Sequence, residues 1–107
     1  MNPAEQYLKQ RIQMRQEANS LGITDSQLEI ILYLGTKENP QTIGTIQKNI
    51  PYMSQASHSQ SISDLWKNKK LVNKKLSMEN QRERKVDLTD SGKQVYQNLI
   101  DVLEGEN

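Results

Sequence analysis

The stretch SQASHSQSISDLWKNKKLVNKKLSMENQRERKVDL, residues 54–88, changes its apolar period half-way along. In its first part, Ile62 and Leu65 lie at helical spacing within a Ser/Gln-rich segment. After KNKKLV, Val72 and Leu76 lie an even number of residues apart, which is typical of a strand. The stretch therefore predicts a helix followed by a hairpin.

Positive charge is concentrated in the same part of the chain. Residues 54–86 hold eight Lys and Arg side chains against three Asp and Glu, about +5, although the whole chain carries only +1. The remaining residues are therefore net acidic. A polar helix beside a cationic hairpin is what a winged helix-turn-helix presents to a DNA duplex. We take this arrangement, a mainly α (α+β) fold with a two-stranded wing, as the working hypothesis.

The size and composition of the chain limit the other possibilities. A chain of 107 residues is expected to form one domain, 1–107, and an apolar fraction of 34% without Phe leaves a thin core that a second subunit would help to cover. The absence of Cys and the single His exclude a disulfide framework, a zinc finger and a histidine metal cluster, so no metal or cofactor is expected. The N-terminus lacks a signal-like apolar run, so we expect a cytoplasmic protein without membrane contact.

An enzyme is not expected either. No nucleophile and base are recognisable as a pair, and the five glycines form no phosphate-binding loop. No pair of carboxylates has the spacing that acid–base or metal chemistry requires.

Residues that can start a helix lie before the stretch 54–88 and also at its first position. Thr24 or Asp25 can cap a broad-faced, central helix, and Gln27 completes a capping box if Thr24 is the cap. Thr42 can cap a short helix that Pro51 prevents from continuing, and Ser54 can cap the helix after it. These last two helices form the predicted helix-turn-helix.

The terminal segments are predicted to be helices, over 1–20 and 90–104. The apolar stripe of the first helix is too narrow for it to be stable alone, and the apolar face of the second is wider than one neighbour in such a small domain needs. We assign both to a homodimer interface, with packing inside the same subunit as the alternative for the first. The side chains assigned to it are Leu8, Ile12, Leu99, Ile100 and Leu103.

The hairpin register is predicted from a turn centred on Gln81. This turn places Leu76 opposite Val86 and also gives two further cross-strand pairs. Those pairs are Met78 with Arg84 and Lys74 with Leu88.

The string SMENQRERKVDLTDSGKQVYQNL, residues 77–99, resembles the wing and following helix of the multiple-antibiotic-resistance regulator (MarR) family. The positions matching that family's Asp-x-Arg, valine strand and Leu-Thr-x-x-Gly are Asn80, Arg82, Val86, Leu88, Thr89 and Gly92. Upstream, LGITDSQLEIILYL resembles the family's Leu-Thr-x-x-Gln helix through Ile23, Thr24, Gln27 and Leu32. DLWKNKKLV resembles its Leu-Glu-Lys-Lys-Gly-Leu-Val junction, with Lys69-Lys70 where the glycine is usual.

The resemblance implies a dimeric winged-helix regulator of near-palindromic DNA, usually a repressor and often released by a small-molecule effector. It also implies that Arg82, in the wing 79–84, enters the minor groove, where an A·T-rich track favours a guanidinium. Asn80 replaces the aspartate that usually holds this arginine, so a weaker, neutral link is expected.

The polar side of helix 54–68 supplies the candidate major-groove contacts. Taking Ile62 as the centre of its apolar face places Asp64 and the candidate base-reading residues on the far side. Those base-reading residues are Ser57, Gln60 and Ser61, and Gln55 is expected to add to them from the start of the helix. Candidate phosphate contacts are Ser54, Lys74, Lys75, Arg84 and Lys85. The register of this helix is open, with either Leu65 or Trp66 as its core residue; His58 faces inward in one register and borders the groove in the other.

A second function remains open. The same fold can bind protein instead of DNA, as an antirepressor or an assembly factor. The uncharged Ser/Gln helix favours this alternative, because residues 54–66 contain no Arg or Lys.

Overall fold

The computed structural model describes residues 2–76 and 83–105 of the chain. Within these ranges the chain has a mainly helical α+β arrangement, with five helices and three short strands. The elements are α1 (Pro3–Ser20), α2 (Asp25–Gly35), β1 (Gln41–Thr42), α3 (Ile43–Asn49), α4 (Gln55–Lys67), β2 (Val72–Leu76), β3 (Arg84–Leu88) and α5 (Asp90–Glu104). The predicted helix-turn-helix corresponds to α3 and α4, and the predicted wing to β2 and β3.

Polar caps start the helices. In each case a side-chain oxygen accepts a hydrogen bond from a backbone amide of the first turn, which stabilises an otherwise unpaired donor. The caps are Asn2, Thr24, Thr42, Ser54 and Thr89. The predicted capping box of α2 is confirmed, because Thr24 and Gln27 each bond the other's backbone amide.

The sheet of the described residues has three strands, in the order β1-β3-β2, and not the two that the sequence predicts. Gln41 pairs with Val86 and Thr42 with Lys85, both antiparallel. A two-residue strand carries no alternation of its own, and it forms here because β3 offers an unpaired edge.

The predicted hairpin register is wrong by two residues. Val86 lies opposite Lys74 and Arg84 opposite Leu76, where Leu76 and Met78 were expected, and Leu88 lies opposite Val72. Alternation fixes which face a side chain occupies, but a shift of two residues preserves every face, so the pattern could not determine the register. Leu76 consequently lies near the end of the paired strands and is 50% exposed.

The core lies between α2 and the elements packed around it. Leu65 is fully buried whereas Trp66 is 38% exposed, so Leu65 is the core leucine of α4. Other buried side chains come from every layer: Ile30, Ile31, Ile46, Ile62, Val72, Val86 and Leu99.

The link from α4 to β2 is held by the start of α5. Lys70 adopts a φ of +57°, in the left-handed region that favours glycine. The Thr89 hydroxyl donates to the Lys70 carbonyl oxygen at 2.9 Å and accepts from the Gly92 amide at 3.0 Å. The Thr89 amide donates to the Leu71 carbonyl oxygen at 3.0 Å. The Leu-Thr-x-x-Gly string thus joins the base of the wing to α5.

The terminal helices α1 and α5 pack against each other within the chain. Leu8 and Ile12 are 56% and 55% exposed, whereas Ile100 and Leu103 are half-buried. Leu99 is fully buried in its own chain, so its assignment to a dimer interface is wrong in this conformation. The reason is that α5 packs on α2 as well as on α1, and Leu99 faces the shared core.

Candidate nucleic-acid interface

One side of α4 is buried and the opposite side is free. His58, Ile62 and Leu65 are the buried residues of this helix. At about 100° per residue, the stripe directly opposite them starts at Ala56 and continues at intervals of three or four residues. This outer stripe consists of Ala56, Gln60, Ser63 and Lys67, which are exposed except for the half-buried Ser63.

The predicted base-reading residues divide into two pairs. Gln55 and Gln60 are exposed, whereas Ser57 and Ser61 are half-buried at the edge of the helix that faces α2. Sequence reasoning missed Ala56 and the exposed Ser59. The spacing from the buried face would have found Ala56, had Leu65 been fixed as the core residue.

His58 faces inward, in agreement with the register that places Leu65 in the core. Its ring is fully buried, and Nε2 lies 3.0 Å from the carbonyl oxygen of Ile50, which follows α3. Because a carbonyl oxygen only accepts, Nε2 carries the hydrogen and donates it. This bond fixes the turn between the two helices of the helix-turn-helix.

Asp64 does not lie on the outer side of α4, contrary to the prediction. Its Oδ2 accepts from the Gln27 side-chain amide at 2.6 Å and from Lys69 Nζ at 2.8 Å, and its Oδ1 accepts from Asn68 at 2.6 Å. These hydrogen bonds, from Asn68 first and then from Lys69 and Gln27, hold the pKa of Asp64 well below its usual value. The carboxylate therefore holds α4 to α2 and to the junction beyond it.

Trp66 lies between two lysines at the side of α4 next to the wing. The Nζ atoms of Lys67 and Lys74 lie 5.7 Å and 5.3 Å from the centre of its ring. Such cation–π contacts restrain long side chains without neutralising them. Lys74 is thus held beside α4 with its charge retained.

The wing carries a pair of like charges in direct opposition. Lys75 on β2 and Lys85 on β3 are cross-strand partners, on the opposite face of the sheet from the buried Val86. Like charges in this position destabilise a hairpin. The exposed Arg84, next to Lys85 in the chain, lies on the other face of the sheet, so this end of the wing carries cations on both faces that an anionic partner would stabilise.

No family model matches the sequence, and no curated protein matches it either. Solved structures do share its fold. The complex of S. aureus MepR with DNA matches with a TM-score of 0.82 at 18% identity, over 96% of this chain and 82% of that one. Reduced AbfR bound to DNA gives 0.74 at 23% identity, over 94% and 73%. A MarR-family transcriptional regulator from Silicibacter pomeroyi gives 0.74 at 23% identity, over 91% and 63%.

The chain has the MarR-like winged-helix fold. In this fold α3 and α4 form the helix-turn-helix and β2 and β3 the wing, so the predicted architecture is confirmed. Arg82, the candidate minor-groove residue, and most of the wing 79–84 lie outside the described residues. Ser54, a predicted phosphate contact, uses its Oγ to cap α4, accepting from the Ser57 amide at 3.1 Å.

A cleft lies between α1, α2 and the end of α5. It encloses about 220 Å³. Apolar side chains form much of its wall, and two arginines lie at its edge. The lining includes Tyr7, Arg11, Met14, Arg15, Leu28 and Leu103.

The described residues contain neither a metal site nor a membrane span. In residues 2–76 and 83–105, no three His, Cys, Asp or Glu side chains come together as a metal site. None of the helices in those ranges has the length and hydropathy to span a bilayer.

Proposed function

We propose that this protein is a sequence-specific, double-stranded DNA-binding transcriptional regulator. The proposal rests on one observation. A single domain of MarR-like fold carries the exposed polar stripe of α4 and, beside it, a wing on which two cations lie directly opposite each other. The solved MepR and AbfR structures of the same fold are complexes with DNA, which supports the same partner here.

The outer stripe of α4 supplies the major-groove contacts. Gln60, at its centre, has the side-chain amide that can pair with N6 and N7 of adenine. Gln55 and Ser59 lengthen the surface of α4 that contacts the bases, whereas Ser57 and Ser61 lie only at the edge of that surface. Because the stripe is uncharged apart from Lys67, affinity depends on other cations.

Those cations belong mainly to the wing. Lys74, Lys75, Arg84 and Lys85 contact phosphates, and Arg82 enters the minor groove. Phosphate contacts release counterions, so affinity falls with salt at a log–log slope of about −0.9 per contact.

We further propose that the functional unit is a homodimer acting as a repressor. Leu8 and Ile12 leave an apolar stripe on α1 exposed, next to the half-buried Ile100 and Leu103 of α5. A second copy covering this stripe would place two α4 helices on one duplex, with half-sites about one helical turn apart.

Selection of bound sequences from random duplex DNA tests the proposal. We expect enrichment of a near-palindromic site, and binding that weakens steeply as salt is raised. Gln60→Ala should relax the selected sequence at one base of each half-site, whereas Ser57→Ala, at the edge of the stripe, should change it less. A chain that enriches no sequence and passes through heparin at low salt would instead support the protein-binding alternative.

A further inference from the structure

Gln27 is a buried polar side chain that joins α2 to α4 at several points. It is 2% exposed. Its side-chain amide donates to Asp64 Oδ2 at 2.6 Å and is 3.4 Å from the Ser61 carbonyl oxygen. Its side-chain oxygen accepts from Lys69 Nζ at 2.6 Å and from the Thr24 amide at 3.0 Å. Both the nitrogen and the oxygen of the side-chain amide therefore have hydrogen-bond partners.

The three contacts beyond α2 are spread along α4. Ser61 contributes its backbone in the second half of the helix, Asp64 a side chain one turn later, and Lys69 a side chain just past the end. Because all three contacts meet at the Gln27 side chain, they hold the second half of α4 and the residues just after it against α2, and the paired contacts to the Ser61 carbonyl oxygen and the Asp64 carboxylate limit rotation of the helix about its axis. Gln60 precedes Ser61 directly, so its direction follows from the same restraint.

We propose that Gln27 is a positioning residue for sequence reading. This inference rests on the proposed function, because it assigns to Gln27 the alignment of the outer stripe of α4 with base edges. Paired hydrogen bonds to a base require geometry correct to about 0.5 Å, whereas flexible lysines reach phosphates over a wider range. Loss of the restraint from Gln27 therefore lowers discrimination between sequences more than it lowers affinity for DNA in general.

The test compares a duplex selected by the wild-type protein with a random duplex of the same length, by fluorescence anisotropy at one salt concentration. Gln27→Leu removes every polar bond that this side chain makes. We expect the ratio of selected-duplex to random-duplex affinity to fall about tenfold, the value of one good base contact. Affinity for the random duplex should stay within about twofold, because the phosphate contacts remain.

If Gln27→Leu does not fold, two further variants that exchange a carboxylate and an amide test the same inference. Gln27→Glu sets a second carboxylate against Asp64, and the ratio should fall. The double variant Gln27→Glu with Asp64→Asn restores one carboxylate and one amide, now exchanged between the helices, with Lys69 still able to bond the carboxylate. The double variant should recover most of the ratio that Gln27→Glu loses.

Gln41→Leu is the matched control. Gln41 is half-buried and accepts from the Tyr33 hydroxyl at 3.1 Å, but it belongs to β1 and has no bond to α4. It should lower the melting temperature and leave the ratio unchanged.

Three results would overturn the inference while leaving the proposed function intact. They are equal loss of affinity for both duplexes in Gln27→Leu, a lower melting temperature with an unchanged ratio, and a double variant no better than Gln27→Glu. If the wild-type protein selects no sequence at all, the proposed function itself fails and the inference with it.

Discussion

Gly92 lies so close to the backbone of Leu71 that a Cβ atom on the glycine would come well within 3.0 Å of the Leu71 carbonyl oxygen. That oxygen accepts from the Thr89 amide, so it has no freedom to move aside. The glycine of the Leu-Thr-x-x-Gly string is therefore required by packing between the base of the wing and the first turn of α5.

Gly92→Ala is accordingly expected to lower the free energy of unfolding by about 2–4 kcal/mol, because the overlap involves backbone atoms. Urea unfolding followed by circular dichroism measures the change. Gly44→Ala is the control, since the nearest atom to its added Cβ is 4.0 Å away and alanine favours a helix by up to about 1 kcal/mol. Equal midpoints for Gly92→Ala and the wild type would contradict the packing argument.

Lys70 gives a prediction of the opposite sign. Its φ of +57° costs a non-glycine residue about 1 kcal/mol or more, so Lys70→Gly should raise the free energy of unfolding by roughly that amount. The same measurement on Lys93→Gly, in the regular helix α5, should show a loss of about 0.5–1 kcal/mol. Destabilisation by both substitutions would mean that Lys70 makes interactions that outweigh its backbone strain.

Features determined by neighbouring residues could be predicted from the sequence. The caps Thr24, Thr42 and Ser54 act within one turn of the chain, so their chemistry is visible in the string itself. The resemblance through Thr89 and Gly92 also rests on a short-range motif. The helix-turn-helix and the wing therefore follow from patterns within residues 42–92 without any tertiary contact.

Features determined by distant residues could not be predicted in this way. The strand β1 exists only because Thr42 meets Lys85, far away in the chain. Asp64 was assigned to the outer side of α4, but its position follows from Gln27 on another helix, and no local pattern indicates that bond. Leu99 belongs to a broad apolar face whose division between core and surface depends on how α2 packs against it.

Stability in acid should depend on Asp64. Its pKa is depressed in the folded state, so its contribution is fully present above the unfolded pKa of about 3.9 and is lost as the pH falls from there towards the folded pKa. The difference in urea midpoint between the wild type and Asp64→Asn should be largest at neutral pH and shrink progressively below about pH 4. Asp101→Asn, on the exposed side of α5, is the control and should show no comparable pH dependence. A difference constant from neutral pH into this acid range would contradict the assignment.

The opposed lysines of the wing predict a trade between stability and binding. Lys85→Gln removes the repulsion with Lys75 and should raise the free energy of unfolding by about 0.2–1 kcal/mol. The same variant should bind DNA more weakly, with a salt slope shallower by about 0.9 for each phosphate that no longer meets a lysine. Lys93→Gln, on α5, removes the same charge away from the wing and should change neither quantity comparably. Unchanged DNA affinity in Lys85→Gln would show that this residue does not bind a phosphate.

The terminal helices offer a matched pair of variants that separate association from folding. Ile12 is 55% exposed, so Ile12→Glu should leave the fold intact and dissociate the proposed dimer, because a charge would enter an apolar interface. Leu99 is fully buried within its own chain, so Leu99→Ala should instead lower the free energy of unfolding by about 2–5 kcal/mol through the cavity it leaves. Sedimentation equilibrium and urea unfolding distinguish the two effects.

If α1 forms the dimer surface, only Ile12→Glu sediments as a folded monomer, and its affinity for a palindromic duplex falls towards that for a single half-site. A wild-type chain that sediments as a monomer at the same concentration would refute the assignment, since the exposed stripe would then have no second copy to cover it.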